Sequence, residues 1–156
     1  MRDRENRQLN LGDSLSFTKK FITHYRQMGA VLPSSKYLAQ AMVAALPEIP
    51  SGHYIIELGA GTGVFTRQLL KDRPSNPIIA IELDHDLAET LRANYPKATI
   101  IKGDAAKLPE HLSSLNIRHE QIGGVLSAIP FISLPTHIGD SIFSAAADVL
   151  TTGKPF

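Results

Sequence analysis

The sequence contains no cysteine, which excludes both a disulfide framework and a thiolate metal site. It has no apolar run long enough to cross a bilayer and no secretory-signal pattern, so a cytoplasmic location is the default expectation. It carries no internal repeat and no low-complexity tract. The six histidines (24, 53, 85, 111, 119 and 137) are scattered, with no pair at metal-ligand spacing, and no metal site is expected. Net charge is also low, at +1. What is there is ordinary for a soluble globular chain, with 43% hydrophobic residues among 156, and the length points to one domain with a sizeable core.

The small net charge hides an asymmetry. Residues 1–36 hold seven basic groups against three acids, a net of +4, and residues 37–156 carry a net of −3. The basic end suits an anionic partner, either lipid headgroups or nucleic acid. Residues 1–12 read as a flexible basic arm, and 13–156 as a single domain with N-terminal helices over 13–46 and an α/β core over 53–156. Asp13 or Ser14 is placed to cap a helix running to about Met28. Leu15, Phe21, Ile22, Tyr25 and Met28 share one face of it, while Lys19, Lys20 and Arg26 lie on the rest. Such a basic amphipathic helix either packs on the core or lies on a membrane surface. Gly29 ends it, Ser34 or Ser35 caps a second helix from about Lys36 to Leu46, and Leu38, Met42, Ala45 and Leu46 form its expected apolar face.

The centre of the chain is Tyr54-Ile55-Ile56-Glu57-Leu58-Gly59-Ala60-Gly61-Thr62-Gly63. A short apolar run reads as a buried strand, and Val64, Phe65, Leu69 and Leu70 at helical spacing predict a helix after the glycines. Strand, glycine turn and helix form a nucleotide-cradling unit. The spacing is not the dinucleotide fingerprint, because Val64 stands where that pattern needs its third glycine. Glu57, close to the positive end of the helix, repels a pyrophosphate and suits a ligand carrying an amino group and a positive charge.

Two further acids follow at strand ends. Pro77–Leu83 is the second strand, and Glu82 at its carboxyl end is placed to accept both hydroxyls of a ribose. Asp84 or Asp86 caps the next helix. Ala98–Lys102 is the third strand, with Gly103-Asp104-Ala105 at its end. An acid there is able to accept from an adenine amino group. Leu108 to Arg118 reads as a short helix and loop. Gln121–Ala128 carries the fourth strand, Ile122-Gly123-Gly124-Val125-Leu126-Ser127, followed by the apolar turn Ser127-Ala128-Ile129-Pro130-Phe131-Ile132-Ser133-Leu134-Pro135. Thr136 is expected to cap a last helix with Ile138, Ile142, Phe143, Ala146 and Leu150 on its apolar face. Alternating strands and helices predict an α/β fold, a doubly wound, mainly parallel sheet with helices on both faces.

The stretch Glu-Leu-Gly-x-Gly-Thr-Gly resembles the cofactor loop of the class I S-adenosylmethionine-dependent methyltransferases. That resemblance implies S-adenosylmethionine as cofactor, with Glu57, Gly59, Ala60, Gly61, Thr62, Gly63, Glu82, Leu83, Asp104, Ala105 and Ser127 around it, and puts Asp104 on the adenine. The Gly-Ala-Val-Leu-Pro-Ser-Ser block at 29–35 and the Ser-x-Ile-Pro-Phe turn narrow the likeness. With the loop they resemble the bacterial phospholipid N-methyltransferases, over about residues 14–156. This implies methyl transfer to the amine of phosphatidylethanolamine, anionic membrane lipids as partners through residues 14–28, and a peripheral membrane location. The candidate contacts to the amine are Tyr25, Ser34, Ser35, Ser127, Pro130 and Phe131. A close rival is the rRNA adenine dimethylase family, similar in its loop and in an Asn-(Leu or Ile)-Pro-(Tyr or Phe) turn. Ala128 replaces that Asn, and alanine cannot accept from an adenine amino group, so nucleic acid is the less expected partner. Stacking of Phe131 on a flipped base keeps the rival open. The phospholipid family's pattern continues with strands beyond Phe156. With strand order 3-2-1-4, strand 122–126 is then expected as an unpaired apolar edge, prone to self-association and to weak turnover. A third class follows, a non-catalytic module that binds cofactor or a partner.

Overall fold

The computed structural model describes residues 33–151 and 153–156, with side chains from Lys36 onward except at Ser133 and Thr152. The arm at 1–12, the helix expected over 13–28 and Tyr25 lie outside the described residues. Chain order is α1 (Pro33–Ala45), β1 (Tyr54–Leu58), α2 (Val64–Asp72), β2 (Ile78–Glu82), α3 (His85–Asn94), β3 (Thr99–Lys102), α4 (Leu108–Ser114), β4 (Ile122–Ser127) and α5 (Thr136–Val149). Short 3-10 turns at Ala105–Lys107, His119–Gln121 and Phe131–Ser133 link them.

The four strands form one parallel sheet in the order β3-β2-β1-β4. Their registers align Leu58 with Ile81 and Ser127, and Glu82 with Lys102. All four carboxyl ends therefore reach the same edge, where open α/β sheets bind ligands. The strands are apolar on both sides because helices cover both faces. Ile56, Leu58, Ile79, Ile81 and Val125 pack against Leu108 and Leu112 of α4 and Ile142, Ala145, Ala146 and Val149 of α5. Ile55, Ile78 and Leu126 pack on the other face against α1 and α2, through Ala39, Val43, Phe65 and Leu69. Ala80 and Ile100 meet Ala88 and Leu91 of α3. Each fully buried Ile or Leu here contributes about 1.5–3 kcal/mol relative to exposure. Among the described residues, no helix is long and apolar enough to cross a membrane.

Several expectations shift. α1 begins at Pro33, so Ser34 and Ser35 lie in its first turn and not ahead of it. Proline is well placed there, since its missing N–H is one that a first turn leaves unbonded. The buried positions of α1 are Ala39 and Val43, with Met42 and Leu46 partly covered and Leu38 exposed. The small Ala39 and Val43 let α1 lie close to α2, and the larger Leu38 falls outside that contact. Pro135, not Thr136, stands ahead of α5. Phe143, expected in the apolar face of α5, is 44% exposed and takes part instead in an aromatic row. It stacks on Phe131 at 4.3 Å and meets Phe156 edge-on at 5.1 Å.

The bare edge expected at β4 is partly covered. Val125 N–H donates to the Pro155 carbonyl at 3.0 Å, and Lys154 Nζ donates to the carbonyl of Glu120 at 3.0 Å. Pro155 thus lies against the strand at Val125 and narrows the open edge on which self-association through 122–126 was expected.

Candidate functional site

Three glycines shape the loop between β1 and α2. Gly59, Gly61 and Gly63 have φ of 73°, 57° and 83°, a left-handed region that side chains disfavour. Gly59 and Ala60 N–H both donate to the Ile81 carbonyl, at 2.9 and 3.2 Å, which ties the loop to β2. Gly61 N–H donates to Glu82 Oε2 at 2.7 Å, and Asp84 N–H donates to Glu82 Oε1 at 2.8 Å. Glu82 is thus a brace between two loops, and each of its oxygens keeps a lone pair for a ligand hydroxyl. Burial raises the Glu82 carboxyl above its ordinary range, and the N–H groups of Asp84 and Gly61 oppose that shift. Asp84 caps α3, accepting from Asp86 and Leu87 N–H at 3.0 Å each.

Glu57 is fully buried at the end of β1. Its Oε2 accepts from the Thr66 hydroxyl at 2.6 Å. Its Oε1 is buried with no hydrogen-bond partner. Burial pushes the Glu57 carboxyl up to about 8; the Thr66 hydroxyl opposes this and the Glu82 charge adds to it. A buried, orphaned carboxylate oxygen is costly unless a ligand pairs with it. Sequence reasoning missed Thr66. The available signal was a polar residue beside Phe65 on the inner face of α2, which also buries Gln68.

At β3, the Asp104 side chain accepts from Ala106 N–H at 2.9 Å and caps the turn Ala105–Lys107. Ala105 is buried, and Leu83 is half-buried beside Glu82. After β4, Ala128 N–H donates to the Leu58 carbonyl at 3.0 Å, and Ile129 N–H to Ser127 Oγ at 3.2 Å. The turn is therefore bent back over β1, and Ile129 lies against Gly59. Ser127, Pro130 and Phe131 are half-buried, while Ile132 is 99% exposed. Glu57, the loop glycines, Glu82, Asp104 and Ser127 thus share one sheet edge. The side chains of Ser34 and Ser35 are not among those described, so their contacts with an acceptor amine stay outside this geometry. Among the described residues, no group of three His, Asp or Glu gathers as a metal site.

The residues fit S-adenosylmethionine, since the orphaned Glu57 oxygen suits an ammonium and Glu82 and Asp104 offer acceptors for ribose and adenine. Similar folds agree. TrmN from Thermus thermophilus superposes with a TM-score of 0.61 at 19% identity, over 79% of this chain and 38% of that one. CalS10 from Micromonospora echinaspora, an amino pentose methyltransferase solved with S-adenosylmethionine bound, superposes with a TM-score of 0.56 at 16% identity, over 85% and 52%. Sheet order, loop and acids define the class I S-adenosylmethionine-dependent methyltransferase fold, and S-adenosylmethionine is its cofactor. Within that class the family model for ribosomal RNA adenine dimethylase matches residues 19–148, and the chain belongs to that family. A relative, ribosomal RNA small subunit methyltransferase A of Synechococcus sp. (strain JA-2-3B'a(2-13)), is 30% identical over 118 residues. The match covers 71% of this chain and 40% of the relative, so the chain spans about two-fifths of that relative's length.

This overturns two expectations. The narrower likeness to phospholipid N-methyltransferases gives way to the RNA family, and the expectation that nucleic acid is the less expected partner conflicts with relatives that are ribosomal RNA methyltransferases. The physical reason is that the blocks at 29–35 and 127–135 are short, and each is compatible with either family. The single departure at Ala128 weighed too heavily against a match that runs through most of the chain.

Proposed function

We propose that this chain is the cofactor-binding part of an RNA methyltransferase that acts on the exocyclic amine of adenine in small-subunit ribosomal RNA. The observation that carries this reading is a family match spanning 19–148, across both the glycine loop and the 127–135 turn. Bound S-adenosylmethionine supplies a methyl group on a positively charged sulfur. Glu57 takes the ammonium of its methionine end, and the backbone of Gly59 to Gly63 lines its path. Glu82 takes the ribose, with Leu83 beside it, and Asp104, with Ala105, takes the adenine amino group.

The 127–131 turn holds the acceptor base. Phe131, stacked on Phe143, is the aromatic ring of this turn and the partner for a flipped base. Pro130 and Ile129 keep water from the reacting amine, and Ser127 Oγ, which accepts from Ile129 N–H, keeps a second lone pair to accept from the amine N–H. Alignment of nitrogen, methyl and sulfur supplies much of the remaining rate. The seven basic groups of residues 1–36, in a stretch of net +4, provide charge for RNA phosphates.

The test is transfer of labelled methyl from S-adenosylmethionine to small-subunit ribosomal RNA, run beside phosphatidylethanolamine vesicles. Label in adenine of the RNA and none in lipid is expected. Label in lipid alone overturns the reading.

A further inference from the structure

The Gly103-Asp104 turn is held from outside the site by a histidine. Gly103 N–H donates to the Glu82 carbonyl at 2.9 Å, and Asp104 Oδ1 accepts from Ala106 N–H. The Asp104 carbonyl lies 3.0 Å from His111 Nε2. A carbonyl only accepts, so Nε2 carries the proton whether the ring is neutral or charged. A side chain on Gly103 would put its Cβ 2.5 Å from both Cε1 and Nε2 of His111. The imidazole thus rests on the Cα of Gly103, and glycine is what lets it reach the next carbonyl. His111 stands on α4, whose Leu108 and Leu112 are fully buried, so the ring projects from a fixed helix.

We propose that His111 is a positioning residue for the adenine end of the cofactor site. It holds the Asp104 peptide at the extended ψ of 127° that directs the carboxylate, one oxygen to the Ala106 N–H and the other toward the purine 6-amino group. This rests on the reading of Asp104 as the adenine acceptor. The position lies seven residues beyond the acid on a separate helix, and nothing in the local motif announces it.

Calorimetric titration separates the two claims. The ligands are S-adenosylhomocysteine and its analogue lacking the purine 6-amino group, applied to wild type, Asp104→Ala, His111→Leu and His111→Gln. Asp104→Ala weakens S-adenosylhomocysteine about tenfold or more and abolishes the preference over the analogue. His111→Leu weakens S-adenosylhomocysteine about fivefold with little change for the analogue. His111→Gln, whose Nε2 reaches the same place, restores the preference. Comparing two ligands on one sample removes the effect of any unfolded fraction. If Asp104→Ala keeps the preference, the adenine role of Asp104 fails and the proposal with it. If Asp104→Ala loses the preference and His111→Leu keeps it, or weakens both ligands equally, the role of His111 alone is overturned.

Discussion

Ile129 fills the space that a side chain on Gly59 would need: a Cβ on Gly59 would stand 2.5 Å from Ile129 Cγ1. With the bond from Ala128 N–H to the Leu58 carbonyl, this contact makes the β1 loop and the β4 turn one site.

Gly59→Ala therefore carries two costs. The φ of 73° disfavours a side chain by about 1 kcal/mol, and the overlap adds about 1–3 kcal/mol. Urea unfolding of Gly59→Ala, Ile129→Ala and the double variant should show that Ile129→Ala removes much of the second cost and none of the first. Strict additivity would mean that the two residues do not touch in solution.

Glu57 makes stability fall with rising pH. Its carboxyl titrates at about 8 in the folded chain, raised from an ordinary 4.5 by burial. Below about 4.5 both folded and unfolded chains hold the proton, and the contribution is fully present. Between 4.5 and 8 the unfolded chain loses it first, so stability drops by at most about 1.4 kcal/mol per pH unit and the contribution is lost as pH passes the folded value. Glu57→Gln, measured without cofactor, should flatten this slope and melt higher than wild type at pH 8. Parallel profiles for the two proteins would show that Glu57 is ionised throughout.

Ala128 has no side chain able to accept from an adenine amino group. Ala128→Asn adds such an acceptor, worth about a three- to tenfold gain for one net hydrogen bond. The expected outcome is faster methyl transfer to RNA with unchanged affinity for S-adenosylhomocysteine. A slower transfer would place the acceptor base elsewhere than at this turn.

Lys19 and Lys20 supply two of the seven basic groups of residues 1–36. Lys19→Glu with Lys20→Glu should weaken RNA binding and reduce the slope of log affinity against log salt by about 1–2. Filter binding across a salt series checks it, and an unchanged slope would mean that neither lysine meets a phosphate.

The sequence by itself determined the order of elements, the glycine loop and the acids at strand ends, while the structure decided between Asp84 and Asp86 as the cap and set the sheet order 3-2-1-4. The elements, the loop and the placement of the acids follow from periodicity and turn chemistry, which act between near neighbours in the chain. Tertiary structure decided what lies against them. Ile129 reaches Gly59 across 70 positions, Thr66 pairs with Glu57 through the fold-back of α2 on β1, and His111 rests on Gly103 because α4 docks beside β3. Pro155 lies against the β4 edge that the strand pattern left open. Each of these contacts depends on how the elements pack against one another, which periodicity and turn chemistry do not give. Local residues were also weak evidence for the acceptor. An apolar, proline-bearing turn at this edge shields an amine from water whether it belongs to a lipid or to a base.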